Sequence, residues 1–206
     1  MTRIFPDFQI AKILVDKITQ LFRAKLTNRF ISAVLTLVTS KIQKMEYQIR
    51  KATKDDCPEI IRLIQELADY EKMPDGPKIN AETLAEDGFG SKSFYECFVA
   101  SANEKLVGFV LYFYTYSTWE GRSVYMEDLY VTPTYRNKGI GKKLWQACVQ
   151  AGLEMKCTRC NFSVLDWNKP SIEFYKSKGA VDLSGAEGWL AFRLHQSEME
   201  KFVKEP

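Results

Sequence analysis

Residues 125–143, Tyr-Met-Glu-Asp-Leu-Tyr-Val-Thr-Pro-Thr-Tyr-Arg-Asn-Lys-Gly-Ile-Gly-Lys-Lys, leave the chain few ways to fold locally. The β-branched and aromatic run up to Thr132 predicts a strand. Pro133 cannot donate to a ladder and ends it. Leu144, Trp145, Cys148 and Val149 then recur at helical spacing. A strand is thus joined to a helix by one short basic turn carrying Gly139 and Gly141, which places the chain in the α/β class. The first N–H groups of such a helix lack intrahelical acceptors and form a ready anion cradle. Lys142 and Lys143 oppose the helix macrodipole there, a conflict that a bound polyanion removes. Glu127 and Asp128 are successive on the strand, and regular alternation points them to opposite faces.

Charge is unevenly spread. Residues 1–44 hold eight Lys/Arg against two Asp, whereas the remainder holds 21 basic and 24 acidic residues. A mildly acidic body argues against a nucleic-acid-binding core and suits a cationic small substrate. In residues 1–44, Ile10, Ile13, Leu14, Ile18, Leu21, Phe22 and Leu26 have amphipathic helical spacing. The run 30–38 is too short to span a bilayer. A mitochondrial-type presequence, a membrane-surface helix, and an extension without a chemical role all fit this segment. Any membrane contact is expected only through it, and the body is expected to be cytoplasmic, or mitochondrial if the segment is a presequence. The five cysteines are odd in number and scattered, as expected of reduced thiols. Cys157 and Cys160 form a C-x-x-C pair, but His195 is the one histidine and cannot complete a usual zinc set, so no metal is expected.

The domain proper is expected over residues 45–206. Residues 47–50 read as a strand, and Thr53, Asp55 or Asp56 as the cap of a helix running to about Tyr70. A short helix over 81–87 stops at Gly88 and Gly90. Strands over 94–101 and 106–116 form a hairpin about Asn103. The strand over 123–132, the helix over 139–155, a strand over 159–165 and a helix over 170–178 follow. Strands over 180–183 and 189–194 and a helix over 197–203 complete the chain. The expected product is a mixed, mainly antiparallel sheet of about six to seven strands flanked by helices.

The blocks Tyr125-Met-Glu-Asp-Leu-Tyr-Val131 and Tyr135-Arg136-x-x-Gly139-x-Gly141 resemble the acetyl-CoA-binding signature of the GNAT N-acetyltransferases. Glu66-Leu-Ala-Asp-Tyr-Glu71, Glu86-Asp-Gly-Phe-Gly90, Phe94-Tyr-Glu-Cys97 and Ser117-Thr-Trp-Glu-Gly-Arg122 are similar to the diamine and thialysine branch. So are Leu165-Asp-Trp-Asn168, Phe174-Tyr175-Lys176 and Glu187-Gly-Trp189. The resemblance covers the chain from Glu46 onward and leaves residues 1–44 without a counterpart. It implies the GNAT fold, acetyl-CoA as co-substrate, and transfer to a small primary amine (a diamine, a polyamine or a lysine-like thialysine) by direct attack in a ternary complex. It also implies a homodimer.

Residue by residue, the resemblance implies that Leu129, Tyr130, Val131, Arg136, Asn137, Lys138, Gly139, Ile140, Gly141 and Lys142 hold the cofactor. Asn168, Lys169, Pro170, Ser171 and Tyr175 join them. Asn137 stands where relatives often carry Gly, and Asn tolerates left-handed backbone well. The Val131 N–H is expected to polarise the acetyl carbonyl, and Tyr175 to protonate the leaving thiolate. An amine of pKa ~10.4 is free of its proton in about one molecule per thousand at neutral pH. Glu127 is the expected base, with Asp128 its rival. Tyr70, Glu71, Glu127, Asp128, Asn161, Phe162, Ser163 and Glu187 are expected on the amine. Ser117-Thr-Trp119 and Leu165-Asp-Trp167 lean toward the thialysine branch. Two alternatives stay open: acetylation of a protein or peptide amine, and a non-catalytic module that binds the cofactor or a membrane.

Overall fold

The computed structural model describes Lys17 and residues 46–205, so the expectations for residues 1–44 lie outside the described residues apart from Lys17, which is helical and exposed. The elements are β1 (Gln48–Lys51), α1 (Cys57–Tyr70), α2 (Ala81–Phe89), β2 (Glu96–Ala102), β3 (Lys105–Ser117) and β4 (Gly121–Val131). They continue with α3 (Ile140–Glu154), β5 (Arg159–Phe162), α4 (Lys169–Lys176), α5 (Leu183–Glu187) and α6 (Gln196–Phe202). The five strands form one sheet in sequence order. β1 through β4 pair antiparallel, and β5 joins β4 in parallel. The mixed, mainly antiparallel α/β sheet is as expected. Its strand count is five rather than six to seven.

The two missing strands are those expected at 180–183 and 189–194. Leu183–Glu187 is a short helix capped by Asp182, whose side chain accepts from the Gly185 N–H. Residues 188–195 form no regular element. Their apolar alternation is real, but a strand is stable only against a neighbouring edge, and among the described residues none lies beside this segment.

Two apolar layers enclose the sheet. On one face Ile140, Leu144 and Cys148 of α3 pack on Val110, Val124, Met126 and Val131. On the other, Ile60 and Leu63 of α1 and Leu84 of α2 pack on Val99, Phe109, Leu111 and Tyr130. Asp56 anchors the start of α1. Its carboxylate accepts from the two terminal Arg50 guanidinium nitrogens (2.6 and 2.8 Å) and from the Thr53 N–H (2.7 Å). The β2–β3 hairpin turns through Asn103 and Glu104, both at positive φ (51° and 61°), the two-residue turn that matches strand twist. Gly88 does not stop α2 as expected. It lies inside the helix, where the Tyr95 ring fills the space a Cβ needs, and Gly90 is the cap.

Gly152 sets how closely α3 approaches β4, since a Cβ there would stand 2.8 Å from Val124 Cγ1. Gly152→Val is therefore expected to lower stability by about 1–3 kcal/mol through overpacking. Urea unfolding followed by far-UV circular dichroism measures the shift.

Candidate active site

The β4–β5 ladder runs only from Ser123↔Arg159 to Met126↔Phe162. β4 continues to Val131 on its β3 side. Among the described residues no strand pairs with its other side from Glu127 onward. Val131 O is held by Arg136 Nε (2.8 Å), while the next residue, Thr132, donates its N–H to Val107 O on β3 (2.9 Å). In an antiparallel ladder a residue's N–H and C=O face the same way, and the direction alternates. The Val131 N–H is therefore turned from β3 into the open gap, with Leu129 likewise.

Glu127 has no partner on β3. Leu111 pairs with Asp128 and Tyr112 with Met126, so Glu127 is the extra residue of a β-bulge. The bulge breaks the alternation that would have sent Glu127 and Asp128 to opposite faces. Asp128 shares the α1 face with its partner Leu111, which packs in the α1 layer together with Tyr130. It is half-buried, and Glu127 is exposed. Burial, then the Glu127 charge, then that of Glu71 at the end of α1 push the Asp128 carboxyl up to about 7. Burial also raises Glu71. Among the described residues no cation is paired with any of the three, so they form an unneutralised acidic group at one end of the gap.

At the other end, β4 passes through Pro133–Tyr135, a single 3-10 turn, into the glycine loop. Asn137 adopts φ 60° and Gly139 φ 83°, so asparagine does tolerate the left-handed position. The first bond of α3 is Lys143 N–H to Gly139 O (3.1 Å). The preceding N–H groups point out of the helix N-terminus. Lys142 and Lys143 are exposed beside them with no acid in the first turn. Ile140 is fully buried and anchors the turn, and a Cβ on Gly141 would stand 3.7 Å from Val131 Cγ2. Lys138 Nζ donates to Thr134 O (2.9 Å). These donors fit a phosphorylated group running from the Val131 edge to the helix.

The described chain belongs to the acetyltransferase (GNAT) family. The family's sequence profile matches residues 60–180. Thialysine N-epsilon-acetyltransferase of Bos taurus is 45% identical over 163 residues, covering 75% of this chain and 96% of that protein. Human spermidine/spermine N(1)-acetyltransferase-like protein 1 is 41% identical over 160 residues, 74% of this chain and 23% of that longer one. An integron cassette protein from the mobile metagenome of V. cholerae superposes with a TM-score of 0.64 at 24% identity, covering 78% and 99% of the two chains. An aminoglycoside N-acetyltransferase in complex with CoA gives 0.60 at 18%, covering 74% and 96%. These two structures establish the shared fold.

Several of the expected residues contact one another, and their contacts differ from the roles expected of them. The Arg136 guanidinium does not extend from the loop. It lies over the rings of Tyr70 (4.6 Å) and Tyr130 (5.5 Å) while Nε holds Val131 O. Asn168 occupies the N-cap position of α4, before Lys169, Pro170 and Ser171, but its side chain does not cap the helix. Its Oδ1 accepts from the Tyr70 hydroxyl (3.3 Å). Tyr175 packs against Phe162 (4.4 Å) and edge-on to Trp145 (5.0 Å). Burial, then the Cys160 charge, raise its hydroxyl to about 12, so it stays protonated at neutral pH. Asn161 pairs with Tyr125 across the ladder, and the Ser163 hydroxyl is 2.9 Å from that of Tyr125. Glu187 stands apart: it is exposed on α5, where its carboxylate accepts from Trp189 Nε1 (2.7 Å).

Three contributors went unassigned in the sequence. Glu66 accepts from the hydroxyls of Tyr130 (3.2 Å) and Thr132 (2.8 Å) and so fixes the end of β4. Trp145 and Phe174 complete the aromatic box around Tyr175. Their helical spacing marked Trp145 as core, but nothing local tied it to Tyr175.

The raised Asp128 carboxyl makes a stability prediction. Its folded value (about 7) lies above the unfolded one (~3.9), so its favourable contribution is full below pH ~4 and is lost as pH rises through about 7. Asp128→Asn is expected to remove that loss. The variant should be more stable than the parent at pH 8 and close to it at pH 4, as measured by urea midpoints across that range.

Proposed function

We propose that this chain transfers the acetyl group of acetyl-CoA to a primary amine of a small thialysine-like or polyamine-like substrate, by direct attack in a ternary complex. The unneutralised group of Glu71, Glu127 and Asp128 beside the open β4 edge carries this reading, because it is a place for a cationic amine next to a place for a thioester. The relatives at 41–45% identity support the acceptor class. Acetyl-CoA supplies the activated acyl group. The N–H groups of the 137–142 turn hold its pyrophosphate, with Lys142 adding charge. The Val131 N–H donates to the acyl oxygen. Asp128, rather than the more exposed Glu127, takes the amine's proton, since a base near 7 is suited to neutral pH. Tyr175 gives its proton to the departing sulfur.

Residues 45–206 form the catalytic domain in this proposal, and residues 1–44 are an appended basic segment. Among the described residues no helix is long and apolar enough to cross a membrane. The active unit is a homodimer. Trp189 (62%), Leu190 (77%) and Phe192 (92%) are exposed on a segment whose alternation suits a strand but which pairs with no edge among the described residues. A second copy supplies that edge. Light scattering is expected to give twice the chain mass, and Phe192→Asp to give the single-chain mass. A monomeric parent would refute the dimer.

Thiol release from acetyl-CoA with thialysine, lysine, polyamines, diamines and a free-N-terminus peptide tests the chemistry. Turnover is expected with the small amines, and preference for the peptide would displace this reading. The kcat/KM for the amine should rise with pH through about 7, because Asp128 accepts a proton only when ionised. Asp128→Asn should abolish that limb and Glu127→Gln retain it; the reverse outcome would make Glu127 the proton acceptor. Tyr175→Phe should lower kcat while leaving acetyl-CoA affinity nearly unchanged.

A further inference from the structure

The gap beside β4 has two lips. One is β4 itself with the Arg136 loop; the other is the segment that follows β5 and opens α4. The two lips share no ladder beyond Met126↔Phe162. Their separation at the reacting end must therefore be set by side chains.

Tyr70, on the last turn of α1, touches both lips. The face of its ring carries the Arg136 guanidinium at 4.6 Å, and Arg136 in turn holds Val131 O at 2.8 Å. Its hydroxyl donates to Asn168 Oδ1 at 3.3 Å, and its ring lies 5.6 Å from that of Trp167. The helix that carries Tyr70 is itself fixed to β4, because Glu66, one turn earlier, accepts from Tyr130 and Thr132. A stacked and hydrogen-bonded aromatic loses little side-chain freedom when it bridges two elements, and each contact helps to orient the other.

We infer that Tyr70 is a positioning residue that spans the gap, locking the Asn168 end of α4, and hence Tyr175, against the Val131 edge of β4. This rests on the acetyl-transfer reading for its catalytic consequence but not for its structural one. The alternation of roles explains an otherwise odd arrangement, in which Arg136 and Asn168 each turn their side chains toward one tyrosine rather than outward. The bridge runs from Val131 through Arg136, Tyr70 and Asn168 to the first turn of α4. Ile172, in that turn, donates its N–H to Asn168 O at 3.0 Å, so the orientation of Asn168 is passed directly to the helix that bears Tyr175.

Tyr70→Phe deletes the hydroxyl and keeps the ring under Arg136. Amide hydrogen exchange on the free protein, with no substrate present, is the first readout. Exchange over residues 168–176 is expected to quicken by about two- to tenfold, the worth of one neutral hydrogen bond. Exchange in α1 should not change. Asn168→Ala, which cuts the same link from its other end, should quicken the same amides. The second readout is steady-state kinetics of Tyr70→Phe: kcat should fall by about tenfold, as for a small misplacement of a reacting group, with the KM for the amine unchanged. Unaltered exchange over 168–176 in both variants overturns the inference, whatever the activity. A raised amine KM with unchanged kcat also overturns it, since Tyr70 would then be an ordinary substrate contact. A protein that showed the exchange change but no acetyl transfer to any amine would refute the proposed function and leave the bridge standing.

Discussion

Among the described residues, one hydrogen-bonding side of β4 has no strand beside it from Glu127 onward, and the functional half of the molecule is organised around that side. Backbone N–H and C=O groups are obligatory partners, and leaving them unmet in a sheet interior is costly. β4 can leave its edge open because its β3 side stays paired up to Val131 and its side chains remain packed between two apolar layers. The strand is held rigidly by one neighbour so that the other side is available to a ligand. The glycine turn begins where the open edge ends. Strand edge and helix N-terminus thus lie in one row, their outward donors separated by the Pro133–Tyr135 turn, where the Tyr135 and Arg136 N–H groups bond to Thr132 O and Pro133 O.

Charge is sorted along that row. Lys142 and Lys143 stand at the helix end, and Glu71, Glu127 and Asp128 at the bulge end. Neither group is neutralised by the other, which costs stability in the isolated chain. The cost is clearest at Asp128, where burial and two like charges hold the carboxyl near neutral pH. Groups in such a state are found where binding or catalysis requires them. The bulge at Glu127 is part of the same arrangement, since one extra residue brings two successive acids into reach of one cleft rather than dividing them between two faces.

Much of this was legible in the linear chain wherever the signal was local. The α3 stripe, the hairpin at Asn103 and the left-handed Asn137 follow from residue chemistry within a few positions, and all three form. The family-like blocks located the acids, the glycine turn and Tyr175. The bulge was not legible, because it depends on which β3 residue faces which β4 residue. The resemblance placed Arg136 among the cofactor residues; that its guanidinium lies over Tyr70 and Tyr130, from a helix and a strand outside the turn, was not legible in the sequence. The expected strand at 189–194 has the right alternation but pairs with no edge among the described residues, and alternation alone cannot supply one.

The amino-acid sequence by itself determined the strand–turn–helix unit, the acid pair and the basic turn, since each depends on side chains and backbone preferences a few residues apart. Tertiary structure alone decided that β4 and β5 part after Met126, that Asp128 is half-buried while Glu127 is exposed, and that Tyr70 joins the two lips of the gap. Those outcomes depend on register and on contacts between distant segments. Such contacts acquire their energy only once the sheet has assembled and excluded water.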